Sequence, residues 1–380
     1  MNRKVYLSIL TGIFAAAILT FAVLFVCLPD NAFSDTENRT LQTLPDPTPR
    51  QIADGRFESH FETYVSDQFP ARDLWTRAHT AANRLMGQTR SGGVFLGKGD
   101  RLIEDFTPPK EEQYAALRDA VRTFAAENKE LDIYACIVPT AVSILPETLP
   151  DLADAGDQNA YLDRLKTDMQ AAGLHFVDLR HTFLMEKNAT SLYYRTDHHW
   201  TTDAAYLAFK EYAAAAKRET TAVYEPMVVT RTFTGTLTAV SGYTLPVQDE
   251  IRVYVPENAV TQRISYIGEG KTVPTYYNTD ALETRDKYAL FLGGNHPQIL
   301  IRTSSDQDRT LVILKDSYAN CMIPFLGELY SKIIVIDPRY YADDLGTLLR
   351  GQKADDVLLL FNANTLAGDT TLPDVLAPKK

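Results

Sequence analysis

Apolar and polar positions change period several times along the chain, and the first change is the sharpest. Val5 to Leu28 (VYLSILTGIFAAAILTFAVLFVCL) is a run of 24 residues without a charge, about 36 Å long as a helix against a hydrocarbon core of about 30 Å. It predicts a membrane span. A secretory signal has a shorter apolar stretch and then a small-x-small cleavage site, whereas this run passes into Leu28-Pro29-Asp30-Asn31. An uncleaved anchor over residues 1–30 is expected. Arg3 and Lys4 precede it, so the N-terminus is placed in the cytoplasm and the body outside, as a single-pass membrane protein.

Residues 31–50 are polar and proline-rich, which predicts an extended stalk. Phe57, Phe61, Tyr64 and Val65 then recur at helical spacing, Phe69-Pro70 interrupts, and Leu74, Trp75, Ala78, Ala81 and Leu85 resume it. Val94 to Glu104, with Gly97-Lys98-Gly99-Asp100 at its centre, reads as a β-hairpin. Beyond it, apolar strands at 133–138, 175–179, 311–314, 333–336 and 357–361 alternate with helical patterns near 117–124, 161–169, 204–216, 319–329 and 345–349. Near-continuous apolar strands joined by helices indicate an α/β fold with a parallel sheet covered on both faces. Residues 219–305 are different, rich in Val, Ile and Thr with few helix signals, and predict a β-rich insertion within a domain spanning 51–380.

Composition narrows the function. The 38 Lys and Arg against 49 Asp and Glu give a net charge of −11, the wrong sign for a phosphate-binding surface, so no nucleic-acid partner is expected. Cys27, Cys136 and Cys321 lack the spacing of a disulfide framework, zinc site or redox motif. Seven histidines without HExxH-type spacing give no reason to assign a metal or another cofactor.

Two clusters carry candidate chemistry. YYRTDHHWTT, Tyr193 to Thr202, lies between a strand and a helix, and Lys315-Asp316-Ser317-Tyr318 directly follows the apolar strand LVIL. The carboxyl end of such a strand is where open α/β sheets bind ligands. Ser317, His199 and Asp197 supply a nucleophile, a base and a carboxylate to orient the base, the parts needed for acyl transfer. Read singly, Asp-Ser after a strand is a helix cap, and Asp-His-His is a metal fragment or a solvated loop.

TDHHWT, together with IVPTAVSILPETLP, DTENRTL, GRFESHFETYVSDQFPARD, GVFLGKGDRLI, FLGGNHP and KDSYAN, resembles the bacterial DHHW protein family. That family is similar to the alginate O-acetylation proteins AlgJ and AlgX, whose domain is SGNH-hydrolase-like. The resemblance implies a flavodoxin-like sheet, Asp197 and His199 in an Asp-x-His motif, and Ser317 as nucleophile. Lys315 stands where ordinary SGNH enzymes carry glycine, which leaves the oxyanion donors open: the Ser317 amide, then Gly294 and Asn295, with Asn362 and Asn364 as rivals. Gly294-Asn295 is equally ordinary turn chemistry. His198 reads as a local hydrogen-bonding neighbour, Trp200 as packing or a sugar platform, and Tyr194 and Arg195 as site lining or loop caps.

The function expected is O-acetylation of an envelope polysaccharide or exopolysaccharide, with a membrane-bound O-acyltransferase as the partner that the resemblance implies. A carbohydrate esterase would use the same triad. A non-catalytic scaffold of a polysaccharide assembly complex is the reading of another class.

Overall fold

The computed structural model describes residues 3–34, 39–53, 55–257 and 260–377, and divides into two compact units. The smaller comprises residues up to Gln88 together with Ala239–Tyr243, and the larger comprises Thr89–Thr238 and Thr244 onward.

Within the smaller unit, α1 (Arg3–Cys27) contains the predicted span, and α2 (Arg56–Asp67) and α3 (Arg72–Leu85) are the two short helices that the sequence periodicity separates at Pro70. Residues 31–50, expected as an extended stalk, are tied back at two points. The Asn31 N–H donates to Gln68 Oε1 at 2.9 Å, and the Gln42 N–H donates to the Asp67 carboxylate at 2.8 Å. Most of the DTENRTL motif lies outside the described residues.

The larger unit opens with a hairpin, β1 (Val94–Gly97) and β2 (Arg101–Glu104). After α4 (Glu111–Glu127) come β3 (Asp132–Val138), α5 (Gln158–Ala171), β4 (His175–Phe176) and α6 (Thr202–Ala215). The β-rich stretch follows as β5 (Tyr224–Phe233), β6 (Asp249–Pro256), β7 (Gln262–Tyr266), β8 (Lys271–Val273) and β9 (Gln298–Thr303). The chain ends on β10 (Thr310–Lys315), β11 (Lys332–Ile336), α7 (Leu345–Gln352) and β12 (Asp356–Asn362).

Eight of these strands form one sheet in the order β8-β7-β9-β11-β10-β12-β3-β4. The five from β11 to β4 are mutually parallel, and β9, β7 and β8 continue the sheet antiparallel. The β-rich stretch therefore has two fates: β7, β8 and β9 widen the main sheet, while β5 and β6 pair with each other.

Alternation along each parallel strand sends side chains to two cores. Tyr134, Cys136, Leu311, Ile313, Ile333, Leu358 and Leu360 enter one, and Ile133, Ile137, Val312, Leu314, Ile334, Leu359 and Phe361 enter the other. Both faces are apolar because helices cover both. At about 25 cal/mol per Å² of apolar area removed from water, this double burial is the main force holding the sheet.

The expected helix over 319–329 is shorter than its apolar pattern. A 3₁₀ turn runs from Ser317 to Cys321 and an α-turn from Ile323 to Leu326. Pro324 has no N–H to give to a continuing helix.

Candidate active site

The end of β10 sets the first half of the site. Asp316 is the N-cap of the 3₁₀ turn, its side chain accepting from the Tyr318 N–H at 2.9 Å. The cap reading and the nucleophile reading are thus divided between neighbours: Asp316 caps, and Ser317 is left to face the loop carrying the histidines. Ser317 is the first residue of the turn, where helix geometry leaves the N–H without an intrahelical acceptor.

The Tyr193–Trp200 loop sets the second half. An isolated antiparallel bridge joins Tyr193 to Trp200, and the hairpin holds the loop from outside. Arg101 donates to the carbonyls of Tyr193 and Tyr194, and the Leu102 N–H donates to Arg195 O. His199 Nε2 lies 2.8 Å from Ser317 Oγ, and His199 Nδ1 lies 2.6 Å from Asp197 Oδ1. An ionised Asp197 only accepts, so Nδ1 carries the ring proton and Nε2 offers its lone pair to the serine hydroxyl.

Asp197 is sealed in and heavily solvated by protein. Its oxygens accept from the His199 N–H at 2.9 Å, the Thr236 N–H at 2.8 Å and the Thr236 hydroxyl at 3.1 Å. Burial disfavours its charge, but the adjacent His198 and His199 and these hydrogen bonds outweigh burial and hold its pKa well below the carboxylate range. The imidazole is steadied on its flat side as well, since Tyr288 stacks on His199 with ring centroids 3.7 Å apart.

The remaining sequence candidates fall into distinct places. His198 Nδ1 lies 2.8 Å from Thr236 Oγ1, the local hydrogen bond expected of it. Trp200 is no sugar platform: it is completely buried, and its indole N–H donates to Tyr318 O at 2.8 Å. Tyr194 is also buried, between Phe233 and Tyr288, so it supports the site from behind. Arg195 is exposed and lines a cavity of about 240 Å³ with Gln248 and Arg252.

The GGN turn reaches the turn that carries Ser317. Asn320 Nδ2 donates to Gly294 O and to Asn295 Oδ1, both at 3.2 Å, and the fully buried Lys315 donates to Asn295 Oδ1 at 2.7 Å. Leu292, Gly293 and Gly294 all have positive φ, and for the buried leucine this is strain of the kind found at functional sites. Asn362 and Asn364 are engaged elsewhere. Asn362 donates twice to Asp316, and Asn364 donates to Glu104.

Sequence reasoning passed over the residues that grip the Asp-x-His loop. Gly235 has no room for a side chain: a Cβ there would lie 2.1 Å from the Asp197 Cβ. Asp249, at the start of β6, accepts from the Arg195 and Thr196 N–H groups, both at 2.8 Å. The Thr-Gly-Thr step after β5 is the only local signal of this role.

Asp197, His198 and His199 also bring three ligand-type atoms within 4.8 Å of one another. The same donors make the contacts just described, an arrangement suited to moving a proton.

A family model described as an SGNH hydrolase-like domain, acetyltransferase AlgX, matches residues 89–300, more than half of the chain. The chain belongs to this family. The matched span contains Asp197 and His199 and stops short of Ser317, which the structure supplies from β10. A probable alginate O-acetylase AlgJ of Pseudomonas fluorescens is 26% identical over 266 residues, 67% of this chain and 63% of the relative. The chain therefore spans a little under two thirds of that relative's length, and 46% of its counterpart in Pseudomonas syringae pv. tomato. Among solved structures, a DHHW family protein from Eubacterium siraeum superposes with a TM-score of 0.65 at 21% identity, covering 75% of this chain and 95% of that one. Bacillus cereus PatB1, determined with a sulfonyl adduct, gives 0.59 at 18% identity over 76% and 100%. At these identities the likeness to both is one of fold.

Proposed function

We propose that this chain is a membrane-anchored, extracytoplasmic serine O-acetyltransferase acting on a cell-envelope polysaccharide or exopolysaccharide through an acetyl-Ser317 intermediate. The observation that carries the reading is the unbroken Ser317–His199–Asp197 hydrogen-bond chain, at 2.8 and 2.6 Å. Polysaccharide as acceptor rests on the AlgJ relatives, which are described as probable alginate O-acetylases. Anchoring rests on α1, an apolar helix of 25 residues near the N-terminus.

In the first half-reaction Ser317 Oγ attacks the acetyl carbonyl as its proton passes to His199 Nε2. The bond to the leaving oxygen breaks, and His199 returns the proton to that oxygen. A sugar hydroxyl then gives its proton to Nε2 while attacking the acetyl-serine, and Ser317 Oγ departs with that proton. Asp197 holds the ring in the tautomer both steps need. The Ser317 N–H, with the GGN turn that Asn320 and Lys315 hold beside it, is assigned the oxyanion. A membrane-bound O-acyltransferase is the partner assigned to bring acetyl groups to the outer face.

The test is acetyl-group release from a chromogenic acetyl ester by the full chain in detergent, with and without oligosaccharide acceptors. Wild type should acetylate the sugar, and Ser317→Ala, folded but inert, should lose roughly 10⁴-fold or more in turnover. Acetate as sole product with every sugar offered would make it an esterase. Equal inertness of both folded proteins would favour the scaffold.

A further inference from the structure

Helix α3 is inside out. Its polar Thr80 is buried, with the hydroxyl donating to Ser241 O at 2.9 Å, while Leu74, Trp75, Leu85 and Met86 at and just beyond its end face solvent. Gly242 presses against the polar side so closely that a Cβ there would lie 2.7 Å from Thr80 Oγ1. A helix that packs its polar face on protein and turns Leu and Trp outward inverts the amphipathic rule for a water-facing helix. Phe61 and Phe69 are exposed on the adjoining surface, and with Val65, Arg72 and Trp75 they line a groove of about 560 Å³.

The anchor indicates what covers this surface. In α1 every described side chain is exposed except Phe21 and Phe25, one turn apart. Phe21 stacks on Phe69 with centroids 5.5 Å apart and meets Trp75 edge-on at 5.7 Å, and Phe25 meets Tyr64 at 5.6 Å. Just past the helix, the Tyr64 hydroxyl donates to Asp30 at 3.1 Å and Gln68 exchanges hydrogen bonds with the Asn31 backbone. The exit of the span is thereby clamped to α2. Phe21 lies seven residues, about 10 Å, before Leu28, and the apolar run exceeds the hydrocarbon core by only about 6 Å. The rings stacked on Phe21 therefore share its depth, a few ångströms inside the outer edge of the hydrocarbon core.

We propose that α2 and α3 form a membrane-docking platform, with Phe61, Phe69, Leu74, Trp75 and Leu85 seated in the outer-leaflet interface of the bilayer that α1 spans. Aromatic and leucine side chains on a surface helix are what such an interface takes up. The platform rests on the reading of α1 as a membrane span. It gives the smaller unit a fixed seat at the surface where a membrane-bound acetyl donor would deliver its cargo.

The chain has two tryptophans, and Trp200 is sealed in the larger unit, so the emission lost on Trp75→Phe is that of Trp75. The experiment reconstitutes the full chain in phosphatidylethanolamine–phosphatidylglycerol vesicles whose acyl chains are brominated near the headgroup. The expected result is a roughly twofold loss of the Trp75 emission relative to unbrominated vesicles, with Trp75→Phe showing no such loss. A Trp75 signal equally bright in both vesicles, from protein that resists alkaline carbonate extraction, overturns the platform and leaves the anchor standing. Protein that washes off in carbonate overturns both. A Leu74→Asp/Leu85→Asp variant whose Trp75 emission escapes quenching while the chain stays carbonate-resistant is the second expected result, and retained quenching in that variant counts against the platform.

Discussion

Asp197 and Asp316 flank the Ser317–His199 pair, both almost wholly buried, yet their pKa values are moved in opposite directions. Asp197, on the Asp-x-His loop, is kept far below its ordinary value because two imidazoles lie against it and the Thr236 N–H donates to it. Asp316, at the end of β10, is pushed up to about 6 by burial, which the N–H groups of Asn362 and Tyr318 and the more distant Arg339 and Lys315 only partly offset. Both accept several hydrogen bonds. What separates them is a cation-capable ring in direct contact, because Lys315 directs its ammonium to Asn295, with Asp337 3.5 Å away. A carboxylate meant to stabilise a developing imidazolium needs that contact, whereas one that only caps a turn does not.

The contrast is broken most severely at Asp197. Asp197→Asn keeps the shape of the loop but lets the ring take the wrong tautomer, and kcat for a chromogenic acetyl ester should fall by about 10³- to 10⁴-fold. Next in size is Lys315→Met, which removes one of the two side chains holding the GGN turn while Asp337 keeps its three hydrogen bonds from Arg339. A fall of about 10- to 100-fold in kcat with KM little changed is expected, and adding Asn295→Ala should cost nothing more if Lys315 works through Asn295. An additive double variant would show that Lys315 acts by another route.

Stability against pH sharpens the comparison because the two signs differ. Asp197, depressed from 3.8, contributes stability above about pH 4 that is lost as pH falls through its folded value. Asp316, raised from 3.8 to about 6, contributes stability below about pH 4 that is lost as pH rises through 6, on the order of 3 kcal/mol over that window. In chemical unfolding from pH 4 to 7, Asp316→Asn should therefore remove a downward slope, and a slope unchanged from wild type would place the titration elsewhere. The smallest effect is expected of Trp200→Phe. Loss of one indole hydrogen bond to Tyr318 O should cost about 1–3 kcal/mol of stability and leave KM for a sugar acceptor untouched, whereas a raised KM would return Trp200 to the substrate.

Much of the site was readable in the primary structure because its groups lie in two short runs. Asp197, His199 and Ser317 stand beside the strand and turn signals that place them. Trp200 shows the limit. An indole next to a histidine reads the same whether it faces a cleft or a core, and only the carbonyl of Tyr318, 118 residues away, decides between them. Gly235, Thr236 and Asp249 were invisible for the same reason: a glycine needed for a close approach looks like any turn glycine until the partner, here the Asp197 Cβ, is in place. The helix over 319–329 was overextended because apolar spacing continues through Pro324, where backbone hydrogen bonding cannot.

Local pattern is enough for the periodic elements, the apolar anchor-length run, the two-faced parallel sheet and the identity of the three groups that the fold links in one hydrogen-bond chain. These follow from local hydrophobic spacing and from the rule that buried strands must be apolar on both sides. Only tertiary contacts settle which way each buried carboxylate's pKa is moved, which aromatic rings are buried, and that the β-rich stretch both widens the sheet and clamps the Asp-x-His loop. It also decided that α3 turns its apolar face outward. Each of these depends on contacts between residues tens to hundreds of positions apart, where burial and charge proximity, not local pattern, set the free energy.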